Sequence, residues 1–415
     1  MKADRTQPFR IGIDARATEP GFKAHFGRGT GRYATELVSR LVGSSPDSDD
    51  PLRVLPFLAK DLKSKPWEAK VIELLPFGRQ TAETQFFLPK RLQTLGFDLL
   101  HFVAHGDATA RCGVPYVVTV LDLIPLKFPD LYKADKADWR FRLARKLEEQ
   151  SIRNASGIVA ISEATKRDLV EILGIPPERV VVTPLGVSNR FTPRSPILAE
   201  WQLEARRTKE RLGLPVDRPM LLYAGGIDPR KNVPFLLSVF SEVLKYNWAV
   251  RPVLALVGAY ENDRCYPALR ELIQRLGLQN DVVLQGFVSE DDLPLVYRAA
   301  HLKLFPSLYE GFGLPVLEAL ASGAPVIAGN NSSIPEVAGN AALLLEDNNR
   351  SSWVTEILAL LQNETRQGQL SQAGKMQARK FTWDHTARTT LEAYRFFAAL
   401  DAPRAASAAI GNSIP

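Results

Sequence analysis

The chain has 415 residues, 45% hydrophobic and 24% charged, with 27 Gly and 29 Pro; at ~100–200 residues per domain this allows two to four domains and excludes a coiled coil, a collagen-like chain and a mostly disordered one. No apolar run reaches the ~18 residues of a membrane-spanning helix, the charged start MKADRTQPFR reads as no signal peptide, and two distant cysteines, Cys112 and Cys265, support neither a disulfide framework nor a structural zinc site. The net charge of +6 suits phosphate-bearing ligands or an anionic membrane surface; without a Lys/Arg tract carrying interleaved aromatics it does not argue for nucleic acid, and a reducing, cytosolic setting is expected.

In chain order, short apolar runs at residues 9–13, 52–58, 98–102, 116–121, 157–161 and 180–183 predict buried parallel strands. Helical patterns over 29–41, 81–95, 136–153 and 162–173 lie between several of them. Four prolines and a charged stretch, EARRTKERLG, then interrupt the alternation, which restarts with runs at 221–224, 253–258, 282–285, 302–305, 325–328 and 342–345. This predicts an α/β protein of two doubly wound domains. The expected boundaries are an N-terminal domain over 1–190, a linker over 191–219 and a C-terminal domain over 220–380. An apolar stripe at helical spacing predicts a helix over 381–400, ahead of a loose tail over 401–415.

Such sheets gather ligands at the carboxyl ends of their strands. Three segments stand there. In HFGRGTGRY, Gly29 and Gly31 with Gly27 could let amides approach a phosphate at a helix start; a plain flexible loop is the other reading. In LLYAGGIDPRKNV, Arg230 and Lys231 follow a glycine turn and could grip a diphosphate, with both side chains expected to be exposed. In LFPSLYEGFGLPVLEALASGAPVIA, Glu310 lies on a Gly-rich loop and Glu318 one turn into the next helix, with the amides of residues 311–314 between them. No DxD pair follows a strand as a cation clamp, so no metal and no cofactor is expected; Asp47 and Asp49 precede a strand instead.

EGFGLPVLEALASGAPVIA resembles the ExxxxxxxE region of retaining glycosyltransferase family 4, which has the two-domain GT-B fold. GGIDPRKNV is similar to that family's Arg-Lys diphosphate turn. VAISEATKRDLVEILGIPPERVVVTPLGVSNRF is similar to its strand–helix–strand segment before the interdomain link. IGIDAR, GRGTGRYATEL and VTVLDLIPLKFPDLY resemble the branch that includes bacterial mannosyltransferases of polysaccharide assembly. Together these cover nearly all of residues 9–397. The resemblance implies two Rossmann-like domains facing across a cleft and a metal-independent transfer of a hexose, from GDP-mannose before UDP-glucose, to a glycan or lipid-linked acceptor. A phosphorylase or sugar-nucleotide epimerase of the same fold is the alternative. It further implies that the helix over 381–400 crosses back to the first domain, that Glu310 contacts the donor sugar and that Glu318 contacts the ribose. Arg230 and Lys231 would hold the diphosphate, helped by amides of Gly313, Leu314 and the GRGTG loop, while Phe287 and Val288 flank the base. His105, in preference to His101, would be the sugar-side histidine. The sequence departs from the VTxHDLIP pattern, with Leu121 in place of the histidine. The basic helical segment 136–153, with Trp139, Leu143 and Leu147 on one side, is a candidate for peripheral contact with anionic membrane.

Overall fold

Aliphatic runs with no alternation, such as YVVTV and VLALV, are buried at every position, which is how strands covered on both faces read. The computed structural model describes residues 8–22, 29–42, 52–62, 67–68, 72, 79–132 and 139–411. His25 to Arg28 of the glycine loop, Asp47, Asp49, Lys136 and Asp138 lie outside the described residues.

Two units emerge. The first holds β1 (Phe9–Asp14), β2 (Leu52–Phe57), β3 (Leu99–Phe102), β4 (Tyr116–Val120), β5 (Gly157–Ala160) and β6 (Val180–Val182), in the order β2-β1-β3-β4-β5-β6. The second holds β7 (Met220–Ala224), β8 (Val253–Val257), β9 (Val282–Gly286), β10 (Leu302–Phe305), β11 (Val326–Gly329) and β12 (Leu343–Leu345), in the order β12-β11-β10-β7-β8-β9. Every neighbouring pair is parallel. The second order is that of dinucleotide-binding folds, and it reverses direction between β7 and β10; the first reverses between β1 and β3. Ligand sites of doubly wound sheets sit at such reversals, beyond the strands' carboxyl ends.

Helices follow from local signals. In α1 (Gly29–Leu41), Tyr33, Ala34, Leu37 and Leu41 recur at helical spacing and are buried. The helix α2 (Trp139–Asn154) buries only Ser151 and Ile152 fully. For α3 (Glu163–Leu173), the Ser162 hydroxyl accepts the Thr165 amide at 3.0 Å and Gly174 closes the helix at φ 61°. The helix expected over 81–95 carries a π turn at Glu83–Phe87 just before Pro89; proline gives no amide to the preceding turn and crowds its carbonyl, which a wider turn relieves.

Two boundaries differ from the sequence expectation. Residues 191–219, read as a linker, fall in the second unit, which runs from Gly186 to Thr382. They carry α4 (Leu198–Leu212), anchored there by the Trp201 indole, which donates to the Arg298 carbonyl at 2.6 Å, and by an Arg298–Glu204 ion pair at 2.7 Å. The C-terminal helix α7 (Trp383–Gly411) belongs to the first unit and runs through most of the segment expected to be loose. The alanines of DAPRAASAAIG are strong helix formers. Within that unit Trp383, Tyr394 and Phe397 are buried, and a Cβ on Gly157 would meet the Phe397 ring at 2.3 Å.

Candidate active site

At the reversal of the second sheet, β7 ends in Gly225 and Gly226. A Cβ on Gly258 would meet the Gly225 carbonyl at 2.2 Å, so two glycines let neighbouring strand ends approach closely. The short turn Pro229–Lys231 follows, and Asn232 at φ 55° starts α5 (Val233–Val243). The loop after β10 is stitched to this turn: the Leu308 amide donates to the Arg230 carbonyl at 2.8 Å, and Arg230 Nη1 donates to the Tyr309 carbonyl at 2.8 Å.

These contacts bring the expected charges together. Lys231 Nζ is 2.7 Å from Glu310 Oε1 and Arg230 Nη1 is 3.0 Å from Oε2. The Ser307 hydroxyl donates to Oε1 at 2.5 Å. Burial on its own would raise the Glu310 carboxyl; the Lys231 and Arg230 charges, with hydrogen bonds from Lys231 and Ser307, hold it below its ordinary value. Here the sequence expectation fails in one respect. The Arg230 and Lys231 side chains are only 14% and 11% exposed, because both turn inward onto a buried carboxylate.

Glu318 sits inside α6 (Leu314–Ala321), buried, and accepts from the Tyr297 hydroxyl at 3.1 Å. The amino end of α6 is set by Gly313 at φ 105°, where a Cβ would meet Ile334 Cδ1 at 2.7 Å. The amides of Gly313 and Leu314 therefore stand at the positive amino end of this helix. After β9, Phe287 is 72% exposed and Val288 half-buried.

Lys303 escapes sequence reasoning. It is fully buried in β10, its Nζ donating to the Ala224 carbonyl at 3.2 Å and lying 5.2–5.6 Å over the rings of Tyr223, Phe305 and Tyr297. Burial drives its pKa well down, opposed by the charges of Glu318 and Glu310 and reinforced by Lys231. Its amine thus lies within the field of both carboxylates. The available signal was a single charge inside an apolar strand run, LKLF.

In the first unit, the reversal lies between β1 and β3. Gly29 opens α1 with no heavy atom within 4 Å of an added Cβ, and Gly31 is buried. His105 begins a short turn after β3, and its buried Nδ1 has no hydrogen-bond partner among the described residues. It lines a narrow cleft with Asp122, Arg145 and Glu148. His101 is sealed instead: Nδ1 is 2.6 Å from the Tyr394 hydroxyl and Nε2 2.8 Å from the Thr119 hydroxyl, with Tyr33 3.0 Å from the same hydroxyl. Burial lowers its pKa to about 3, so it is a neutral core group. A second unforeseen feature is the Arg16–Asp14 pair at the end of β1, buried and forked through Nε at 2.8 Å and Nη2 at 2.5 Å.

A cavity of about 860 Å³ in the second unit opens beside Asn232 and Leu308 and contains none of these charged residues; the chemistry is gathered at the strand ends. Among the described residues no group of three His, Cys, Asp or Glu is placed to hold a metal ion.

Comparison with known proteins places this geometry. The Glycosyltransferase Family 4 profile matches residues 28–190, and that of glycosyl transferases group 1 matches residues 204–377. O-antigen chain mannosyltransferase B of Escherichia coli is 31% identical over 388 residues, covering 88% of this chain and 96% of that protein. Sucrose-phosphate synthase of Thermosynechococcus elongatus superposes with a TM-score of 0.68 at 20% identity, over 94% of this chain and all of that one. The Anabaena protein HepE in complex with UDP-glucose gives 0.66 at 18% identity, over 93% of this chain and 99% of that one. Two parallel doubly wound sheets, matching profiles on both halves and a mannosyltransferase relative along nearly its full length lead to one assignment: the chain belongs to the glycosyltransferases of GT-B fold, a Family 4 module followed by a group 1 module.

Proposed function

We propose that this glycosyltransferase moves a hexose from a nucleoside diphosphate sugar to a glycan or lipid-linked acceptor, with retention of anomeric configuration and without a metal ion. The observation that carries the reading is the Arg230–Glu310–Lys231 cluster at the sheet reversal. In the free protein Glu310 occupies both cations. An incoming diphosphate competes for them, and the cluster then supplies the positive charge that a leaving nucleotide needs. Glu310 remains ionised and faces the sugar as a hydrogen-bond acceptor. The Gly313 and Leu314 amides add donors to the phosphates, Glu318 takes the ribose, and the exposed Phe287 with Val288 offers the base a face. The acceptor hydroxyl attacks on the side from which the nucleotide departs, and the departing phosphate takes its proton, so that positioning and charge replace a strong protein base. His105, with its unfilled Nδ1, is the sugar-side histidine in this account.

GDP-mannose is the favoured donor because the relative that matches nearly end to end is a mannosyltransferase. UDP-glucose comes next, since HepE binds it. Thermal-shift titration against a panel of nucleotide sugars decides between them, because a ligand at ~100 times its dissociation constant adds ~2.7 kcal/mol of stability. Silence across the whole panel would contradict the reading.

The second reading concerns location: the first unit touches an anionic membrane through α2. No described helix is long and apolar enough to cross a membrane. Trp139 is 45% exposed, Arg140, Arg142 and Lys146 are exposed, and Leu143 and Leu147 are half-buried. An incompletely covered apolar strip flanked by bases suits a headgroup layer. Co-sedimentation with anionic but not neutral vesicles, weakened by salt and by Arg140→Glu, is expected; binding indifferent to both would remove this helix as the anchor.

A further inference from the structure

At the opposite end of the second sheet, beyond the amino ends of β7 and β10, a cavity of about 340 Å³ is lined by Trp201, Arg206, Lys209, Asp217, Arg218 and His301, among others. It is separate from the cluster at the carboxyl ends. Lys209, in the last turn of α4, is 3% exposed, and its Nζ donates to the Arg218 carbonyl at 2.8 Å. An ammonium has three donors. No other acceptor, and no carboxylate within 4 Å, serves Lys209 among the described residues.

Its neighbours do not supply the missing charge. Arg194, buried and stacked on the Trp201 ring at 4.2 Å, donates Nη1 to the Ala300 carbonyl at 2.9 Å and also has no carboxylate partner among the described residues. Arg218 is taken up by Asp281 and by three carbonyls. Of the acids nearby, Glu210 pairs with Arg206 at 3.0 Å, and Asp217 is 3.9 Å from Arg206 with its side chain 81% exposed. The result is an uncompensated buried positive region. Burial outweighs the pull of Asp217 and lowers Lys209 to about 8, and burial lowers Arg194 to about 10.

His301 adds a neutral donor. Its Nδ1 accepts the Met220 amide at 3.1 Å, so the ring proton sits on Nε2, for which no described residue is an acceptor. Burial, with the Lys209 and Arg194 charges, lowers its pKa to about 3 and keeps it uncharged. The enclosed side chains of this cavity, Lys209 and His301, offer donors, while its one carboxylate, Asp217, is 81% exposed and lies 3.9 Å from Arg206; the buried part therefore favours an anion over a metal ion. The occupant is small: Arg194 covers the face of Trp201 and His301 meets it at 5.0 Å, which leaves no free ring for a nucleobase.

We propose that this cavity is a second ligand site, taking a small phosphate-class oxyanion between the Lys209 ammonium and the Nε2–H of His301. Free phosphate and the phosphoryl group of a small phosphomonoester share this chemistry.

The test uses the full chain at constant ionic strength, with inorganic phosphate and glycerol phosphate as probes read by thermal shift. Because Arg230 and Lys231 could also take phosphate, the titrations are run in Arg230→Ala. Both probes are expected to stabilise that variant still, the tighter of the two naming the source, and adding Lys209→Met should weaken them at least ~10-fold. Without anion, Lys209→Met should melt no lower than its parent, since it removes an unpaired buried charge; a merely structural ammonium holding the Arg218 carbonyl would melt lower. Loss of the anion effect in Arg230→Ala alone, or an affinity unmoved by Lys209→Met, overturns the proposal. Should Lys209→Met not fold, the wild-type His301 ring nitrogen signal must shift with phosphate and not with chloride; an unmoved signal overturns it equally.

Discussion

Glu310 shows how one carboxylate organises a site. Its partner Lys231 lies 79 residues away in sequence, with Arg230 one residue further, on the turn after β7, so the Gly-rich motif could nominate it while the ion pairs themselves stayed invisible. Because Arg230 and Lys231 are packed onto this carboxylate, their removal acts on stability as well as chemistry. Arg230→Ala and Lys231→Ala should each lower turnover at least ~100-fold. Each should also lower unfolding free energy by ~1–3 kcal/mol, since Glu310 keeps only one cation; nucleotide release and denaturant titration measure the two effects. Glu310→Gln should reduce kcat, whereas Glu318→Gln, losing contacts made in ground and transition states alike, should raise KM most. The pH dependence has a definite sign. Glu310 is depressed on folding, so its contribution is complete above the ordinary carboxyl range near ~4.3 and is lost as pH falls through its lower folded value. Glu310→Gln should therefore flatten the acid limb of the stability curve below about pH 4.

At the scale of elements, α6 depends on Gly313. A side chain there meets both a left-handed backbone at φ 105° and Ile334 Cδ1 at 2.7 Å, so Gly313→Ala should cost ~1–3 kcal/mol and displace the amides proposed to meet the donor phosphates. Activity should fall further than stability, as paired turnover and denaturation measurements would show. The helix α7 is tied into the first unit by Tyr394, whose hydroxyl meets His101 at 2.6 Å. His101 is held near pKa 3 by burial, below its unfolded value of ~6.5. The unfolded chain therefore takes the proton first, and His101 makes stability fall by about 1.4 kcal/mol per pH unit between roughly 6.5 and 3. His101→Gln should reduce that slope in the first unit's unfolding transition; an unchanged slope would show that His101 is protonated in the fold. Element identity was largely open to reading. The strands were legible because parallel, doubly covered strands leave uninterrupted aliphatic runs. Residues 191–219 were assigned to a linker because EARRTKERLG, though open to a helical reading, looks solvated; in α4 Trp201, Ala205 and Thr208 lie on one face and are buried. Lys303 was lost for the opposite reason, a charge overlooked within an apolar run. Pairings across long separations, such as Arg16 with the Asp107 carbonyl at 3.3 Å, leave no local pattern at all.

For the whole molecule, the residues proposed to bind the donor are concentrated in the second unit, at the β7/β10 reversal, while His105, Gly29 and Gly31 sit at the β1/β3 reversal of the first. EGFGLP and DPRKN are legible as motifs in the sequence, and topology explains why they meet, since both follow strands flanking one reversal. The proposed reaction is a retaining hexosyl transfer driven by the Arg230–Glu310–Lys231 cluster. It is tested most directly by NMR of the product formed from GDP-mannose or UDP-glucose and a glycan acceptor, with wild type and Arg230→Ala in parallel. The expected product carries a new linkage of the same anomeric configuration as the donor, formed with stoichiometric release of nucleoside diphosphate and nearly abolished in the variant. An inverted linkage, or a variant that transfers at the wild-type rate, would contradict it.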